Sequence, residues 1–206
     1  MAKKKSTKTN AAYVLLDRTG SMDSLWDEAI GAVNTYIEKL EDDVKVYLAC
    51  FDSDSFDVLR EDKKQKVKKL TKDEVLPRSM TPLYDSAAKV MNKMLADKPD
   101  RAVFVVMTDG YENASHEYTL DNVRSLMSKL EKKDWPIVFL GANFKEANAY
   151  AVGTFKLNTN TAFTSTASNL NKAMFLNAIK TSAYFGTGDT RSMDWSVAEK
   201  ESVEND

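Results

Sequence analysis

At 206 residues, with 43% hydrophobic and 29% charged residues, the chain is long enough for one sizeable core and too short for two ordinary domains. Its formal net charge of −2 creates no field that would favour nucleic acid or an anionic membrane. A single cysteine, Cys50, excludes an intrachain disulfide and a cysteine-rich zinc site, and the single histidine, His116, removes most other zinc geometries, so a hard metal held by oxygens stays open.

Met1 to Asn10 is basic and polar and reads as a flexible N-terminus. The apolar run that follows is too short for a signal-peptide core or a membrane span, which predicts a cytoplasmic protein. Ala11 to Leu16 is continuously apolar and stops at Asp17, as a strand buried on both faces would. Trp26, Ile30, Val33, Ile37 and Leu40 then fall on one helical stripe. Val44 to Phe51 reads as a second strand, with Phe56 to Leu59 as a short hairpin partner reached through Asp52-Ser53-Asp54. Glu61 to Lys72 is lysine-rich and reads as a solvated connection. Thr81-Pro82 opens a second helix with Leu83, Ala87, Val90, Met91 and Met94 as its stripe, and Pro99 marks its end. Ala102 to Met107 is a buried strand ending at Thr108-Asp109-Gly110, before a helix on Leu120, Val123, Leu126, Met127 and Leu130. A strand at Ile137 to Leu140, a helical stretch near Lys145 to Val152, a weak strand at Thr154 to Leu157 and a helix from about Ala167 to Phe185 complete the pattern. Such alternation predicts an α/β, mainly parallel sheet with helices on both faces, as one domain over residues 11–185. From Gly186 to Asp206 the periodicity vanishes and acids predominate, so that segment reads as an acidic, flexible tail whose carboxylates are chemically suited to meet a metal site.

In an open parallel sheet, ligands bind where strands end, because loops from several strands converge there. Three such loops carry oxygen donors: Asp17-Arg18-Thr19-Gly20-Ser21, Thr81, and Thr108-Asp109-Gly110. Alternate residues of a turn point the same way, so Asp17, Thr19 and Ser21 can converge while Gly20 permits the bend. Carboxylates and hydroxyls form the all-oxygen set that suits magnesium. Hydroxyls are neutral, so a dication held this way stays electron-poor, and an open position on it attracts an external carboxylate. Each piece also has a plain explanation as a helix cap or a turn.

Asp17-Arg18-Thr19-Gly20-Ser21-Met22, Thr81-Pro82-Leu83-Tyr84-Asp85 and Thr108-Asp109-Gly110-Tyr111-Glu112-Asn113 resemble the three pieces of the metal-ion-dependent adhesion site of von Willebrand factor A domains. The resemblance runs from about Ala11 to Phe185, and the chain is similar to the short stand-alone members found in bacteria and bacteriophages. It implies a doubly wound sheet with one antiparallel edge strand, bound Mg2+ or Mn2+, and metal-dependent binding of a partner protein that supplies an Asp or Glu. Carried over, Asp17, Thr19, Ser21, Thr81 and Asp109 are the metal-site positions, with Thr19 standing where serine is usual. Asp52, Glu112 and Asn113 are candidates for the surrounding shell, although turn chemistry also explains Asp52 and its neighbour Asp54. Arg18, Met22, Tyr84 and Tyr111 flank the motif off any buried stripe and are expected to form a rim that grips the partner. His116 reads as a surface residue, Cys50 and Trp26 as core.

Two other functions compete with this adaptor. One is a magnesium phosphohydrolase of haloacid-dehalogenase type with Asp17 as nucleophile, but that chemistry wants a second aspartate two residues on, where Thr19 stands. The other is a scaffold whose site is vestigial.

Overall fold

The computed structural model describes residues 8–205. Six strands form one sheet: β1 (Asn10–Asp17), β2 (Lys45–Phe51), β3 (Phe56–Lys63), β4 (Arg101–Thr108), β5 (Ile137–Ala142) and β6 (Ala162–Ser165). Their order is β3-β2-β1-β4-β5-β6, and only the β2–β3 pair is antiparallel. The expected fold class, with its antiparallel edge strand, is therefore the observed one. Strand alternation explains why the runs look continuously apolar. In β1, Ala12, Val14 and Leu16 face one layer, built on α1 (Trp26–Lys39) and α5 (Leu170–Thr187), while Ala11, Tyr13 and Leu15 face the other, built on α2 (Leu83–Asp97) and α3 (Leu120–Glu131).

The predicted N-terminal tail lies largely outside the described residues. Thr9, however, is tied to Asp100 through its N–H (2.7 Å) and its hydroxyl (2.9 Å). The hairpin strand β3 runs four residues past the expected Leu59, because Glu61 to Lys63 continue the ladder opposite Lys45 to Tyr47.

Two expectations need correction. Where the sequence predicts a weak strand, at Thr154 to Leu157, the chain instead finishes a π-helical turn, Ala151–Phe155, that continues the short α4 (Ala147–Tyr150), and Lys156 and Leu157 follow without regular structure; Phe155 and Leu157 alternate because both dock under the sheet against the second layer. The sixth strand comes later, at Ala162–Ser165. The segment after Gly186 is also not a free tail. Gly188, at φ +79°, caps α5. The chain then forms a 3-10 turn (Thr190–Met193) and α6 (Val197–Glu204), whose N-cap Ser196 and Glu199 make a reciprocal capping box. Met193, Trp195 and Val203 are buried, and Trp195 stacks on Phe163 of β6 with ring centroids 3.9 Å apart. Three apolar residues at irregular spacing leave no periodic signature, yet they anchor the segment. Lys200 donates to the carbonyls of Thr159 and Ala162 beside the outer edge of β6, and Thr166 N–H donates to the Val203 carbonyl (3.0 Å). Two acids of this segment are paired away from the metal motif: Glu199 with Lys180 (2.8 Å) and Asp189 with Arg191 (2.7 Å).

Gly141, near the end of β5, is required for packing. A Cβ there would sit 2.1 Å from Ala147 Cβ and 2.9 Å from the Phe144 carbonyl. Among the described residues, no helix is long and apolar enough to cross a membrane.

Candidate metal centre

β1 and β4 are adjacent and parallel, so Asp17 and the Thr108-Asp109 pair emerge side by side from the same edge of the sheet. The chain after Asp17 turns because the carboxylate itself organises it: Thr19 N–H donates to Asp17 Oδ1 (2.7 Å), and Met22 N–H donates to the Thr19 carbonyl (3.0 Å) to start a 3-10 turn, Gly20–Leu25. The other oxygen, Asp17 Oδ2, accepts from Thr108 Oγ1 (2.6 Å). Across the top, Ser21 Oγ donates to Asp109 Oδ1 (2.8 Å), and Thr19 Oγ1 lies 3.2 Å from Ser21 Oγ. Asp17, Thr19, Ser21 and Asp109 thus form one connected set of oxygens.

Thr81, the remaining expected ligand, stands on the adjoining loop before α2. Gly20 N–H donates to the Ser79 carbonyl (3.2 Å), which brings that loop against the first. Asn113 grips the Thr81 backbone from both sides, its Oδ1 accepting from Thr81 N–H (2.8 Å) and its N–H donating to the Thr81 carbonyl (3.1 Å). Asn113 therefore stands where a supporting residue for Thr81 would.

The electrostatics of this set are unbalanced. Asp17 is wholly buried, and burial raises its carboxyl pKa to about 6, against the hydrogen bonds from Thr108 and Thr19 that lower it; facing Asp109 raises it further. Burial likewise pushes Asp109 upward, opposed by the hydrogen bond from Ser21. No lysine, arginine or histidine among the described residues forms an ion pair with either carboxylate. Nor do three or more His, Cys, Asp or Glu side chains among the described residues form a group that could hold a metal ion. The donor set is two carboxylates plus hydroxyls, which fits a hard divalent ion of near-octahedral preference and leaves positions for water. The cleft of about 300 Å³ lined by Trp135, Ile137, Leu157 and Arg191 lies at the opposite edge, where β5 begins, and contains none of the motif.

The other flanking candidates separate. Tyr111 is half exposed and stands edge-on between Phe144 and Tyr150, 4.8 Å from each, so its ring is held in place at the surface. Tyr84 is partly buried, its ring edge-on to Phe155 at 5.9 Å. Arg18 and Met22 do not form a rim. Met22 is fully buried because the chain enters a 3-10 turn, which rotates it into the core. Arg18 is only 4% exposed, its guanidinium drawn inward to Asp52, Ser55 and Asp57. Asp52 consequently makes its side-chain contacts to Arg18 and Arg78 and reaches the motif's loops through them, not directly. Glu112 is committed too, accepting from the N–H groups of Tyr84, Ala114 and Ser115 and from the Ser115 hydroxyl. Reasoning from sequence placed Thr108 and Asp85 in the motif's segments without a role: Thr108 grips Asp17, and the Asp85 carboxylate takes the N–H groups of His116, Glu117 and Tyr118; it missed Met80, 56% exposed beside Thr81. Met80 lies off every apolar stripe, the same signal that marked Tyr111.

Comparisons with known proteins agree with this architecture. No curated protein matches the chain. Among solved structures, the vWF domain of the type V pili tip protein Mfa5 from Porphyromonas gingivalis superposes with a TM-score of 0.65 at 14% identity, covering 84% of this chain and 94% of that one. The pilus adhesin SpaC from Lactobacillus rhamnosus GG gives 0.67 at 12%, covering 89% and 31%. A von Willebrand factor type A protein from Catenulispora acidiphila gives 0.62 at 11%, covering 85% of this chain, which spans 43% of the length of that relative. At these identities the likeness is one of fold. The family model for the von Willebrand factor type A domain matches residues 13–160, most of the sheet and every segment of the motif, and the chain belongs to that family.

Proposed function

We propose that this chain is a protein-recognition module that works through Mg2+ or Mn2+ and captures an Asp or Glu carboxylate of a partner protein. One observation carries the reading: a buried carboxylate, Asp17, and a partly buried one, Asp109, sit at adjoining strand ends, joined by hydroxyls and with no positive side chain among the described residues paired to them. Desolvating two carboxylates without a paired cation is costly, and a bound dication would offset that cost. Asp17, Thr19, Ser21, Thr81 and Asp109 would hold the ion, and Asn113 would hold Thr81. The ion, when bound, supplies a Lewis-acidic position for a partner carboxylate. Ser21 is exposed at the mouth, and Tyr111 and Met80 offer rigid and adaptable apolar surface around it. The Mfa5 and SpaC relatives are, by name, a pili tip protein and a pilus adhesin, which is in keeping with a role in contact between proteins. Phosphohydrolase chemistry finds less support, since it wants a second aspartate two residues after Asp17, where Thr19 stands.

The test is a titration of metal-stripped protein with Mg2+ and Mn2+, followed by thermal unfolding. Saturation at about a hundred times Kd is expected to add roughly 2.7 kcal/mol of stability, absent in Asp17→Ala and Asp109→Ala. A flat response in the wild-type chain would leave the motif vestigial.

A further inference from the structure

The turn between β2 and β3 touches both loops that carry the hydroxyl donors. From the first loop, Arg18 Nε donates to Asp52 Oδ2 (2.6 Å), and its terminal nitrogen reaches Ser55 and Asp57. From the second, Arg78 Nε donates to the same Asp52 Oδ2 (3.0 Å) and Arg78 also reaches Ser55 Oγ (3.1 Å). Ser79 Oγ donates to Asp54 Oδ2 (2.7 Å), and Met80 N–H donates to Ser53 Oγ (3.2 Å). Asp52 Oδ1 in turn organises its own turn, accepting from the N–H groups of Asp54 (2.6 Å) and Ser55 (2.9 Å). Between the two loops themselves run just the backbone bonds Arg78 N–H to Arg18 carbonyl (2.9 Å) and Gly20 N–H to Ser79 carbonyl (3.2 Å). The Asp52 and Arg18 side chains are 0% and 5% exposed, so this junction is shielded from water.

We infer that Asp52 is a positioning residue for the metal centre, bracing loop 17–21 through Arg18 and loop 78–81 through Arg78 and thereby fixing how far Thr19 and Ser21 stand from Thr81. The inference rests on the metal-dependent reading above. Its physical reason is the donor set. Neutral hydroxyls attract a cation weakly, so they cannot pull their loops together around it, and the spacing must be built in beforehand by the surrounding structure. A pair that merely stabilised the fold would join two elements of the core; this one joins two ligand-bearing loops to a common third point.

The experiment uses the full chain with Mn2+ alone as the probe, and adds amide hydrogen exchange of the metal-free protein. Asp52→Asn is expected to keep its far-UV circular dichroism, to weaken Mn2+ binding by about tenfold or more, and to speed exchange at Gly20 and Met80 together. Arg78→Gln, at a half-exposed side chain, should give smaller changes of the same kind. Tyr36→Phe, which removes a buried hydrogen bond to Thr181 on the far side of α1, should leave Mn2+ affinity unchanged. Wild-type affinity in Asp52→Asn, or faster exchange in one loop alone, would overturn the brace. If Asp52→Asn fails to fold, Arg78→Gln decides by the same two readouts. If the wild-type chain takes up no Mn2+, the metal reading fails, and exchange still decides the brace.

Discussion

Asp17 and Asp52 are near neighbours with opposite circumstances. One closes β1 and the other follows the last residue of β2, on paired strands, and both are buried. Around Asp52 two arginines and two N–H groups converge; although burial works against its charge, these contacts hold the carboxyl below its ordinary range. Around Asp17 there are donors but, among the described residues, no paired cation, and burial prevails, lifting it to about 6. The same residue type at neighbouring strand ends is thus held ionised where the protein supplies the counter-charge and pushed toward the neutral form where it does not. Burial alone distinguishes nothing; the presence or absence of a partner charge does.

The contrast breaks most readily at Asp52. Asp52→Ala leaves the Arg18 guanidinium buried with only Asp57 for charge, and about 3–5 kcal/mol of stability is expected to disappear in urea unfolding. Trp195→Ala is expected to cost about 3 kcal/mol through the cavity left against Phe163, while metal response persists, which separates lost stability from lost binding. Asp17 should behave in the reverse sense. Its folded pKa lies above the ordinary value, so the penalty is fully present above about pH 6 and is relieved as pH falls through 6 towards 4. Asp17→Asn is therefore expected to stabilise the metal-free protein at pH 7 by roughly 1–3 kcal/mol, with the advantage shrinking at pH 5, and to abolish stabilisation by Mn2+. Equal urea midpoints for the two proteins at pH 7 would erase the distinction between the two aspartates. Smallest in stability is Ser21→Ala, at an exposed hydroxyl, expected to move the midpoint within about 0.5 kcal/mol while lowering metal affinity.

Much of this was legible in the chain. Runs such as Ala11 to Leu16 and Ala102 to Met107 announce strands covered on both faces, and oxygen-bearing residues directly after them mark one edge of the sheet. What could not be read was direction. Whether Arg18 points to solvent or into the β2–β3 turn depends on Asp52 and Asp57, residues far along the chain, and Met22 turns inward because the helix begins with a 3-10 turn that no stripe reveals. Strand β6 is four residues of mixed polarity, and the segment carrying Trp195 holds on by residues whose spacing has no period. Both are tertiary facts, set by Phe163 meeting Trp195 and not by any local preference.

That segment also shelters an edge of the sheet. The outer flank of β6 would otherwise be less covered beside the ring of Phe163, and a bare strand edge is a template for pairing with another chain. Lys200 occupies the carbonyls of Thr159 and Ala162, and Trp195 covers the ring. A chain shortened after Gly188 would therefore lose more than a few buried contacts: it would be sticky, prone to edge-to-edge self-association at concentrations where the longer chain stays dispersed.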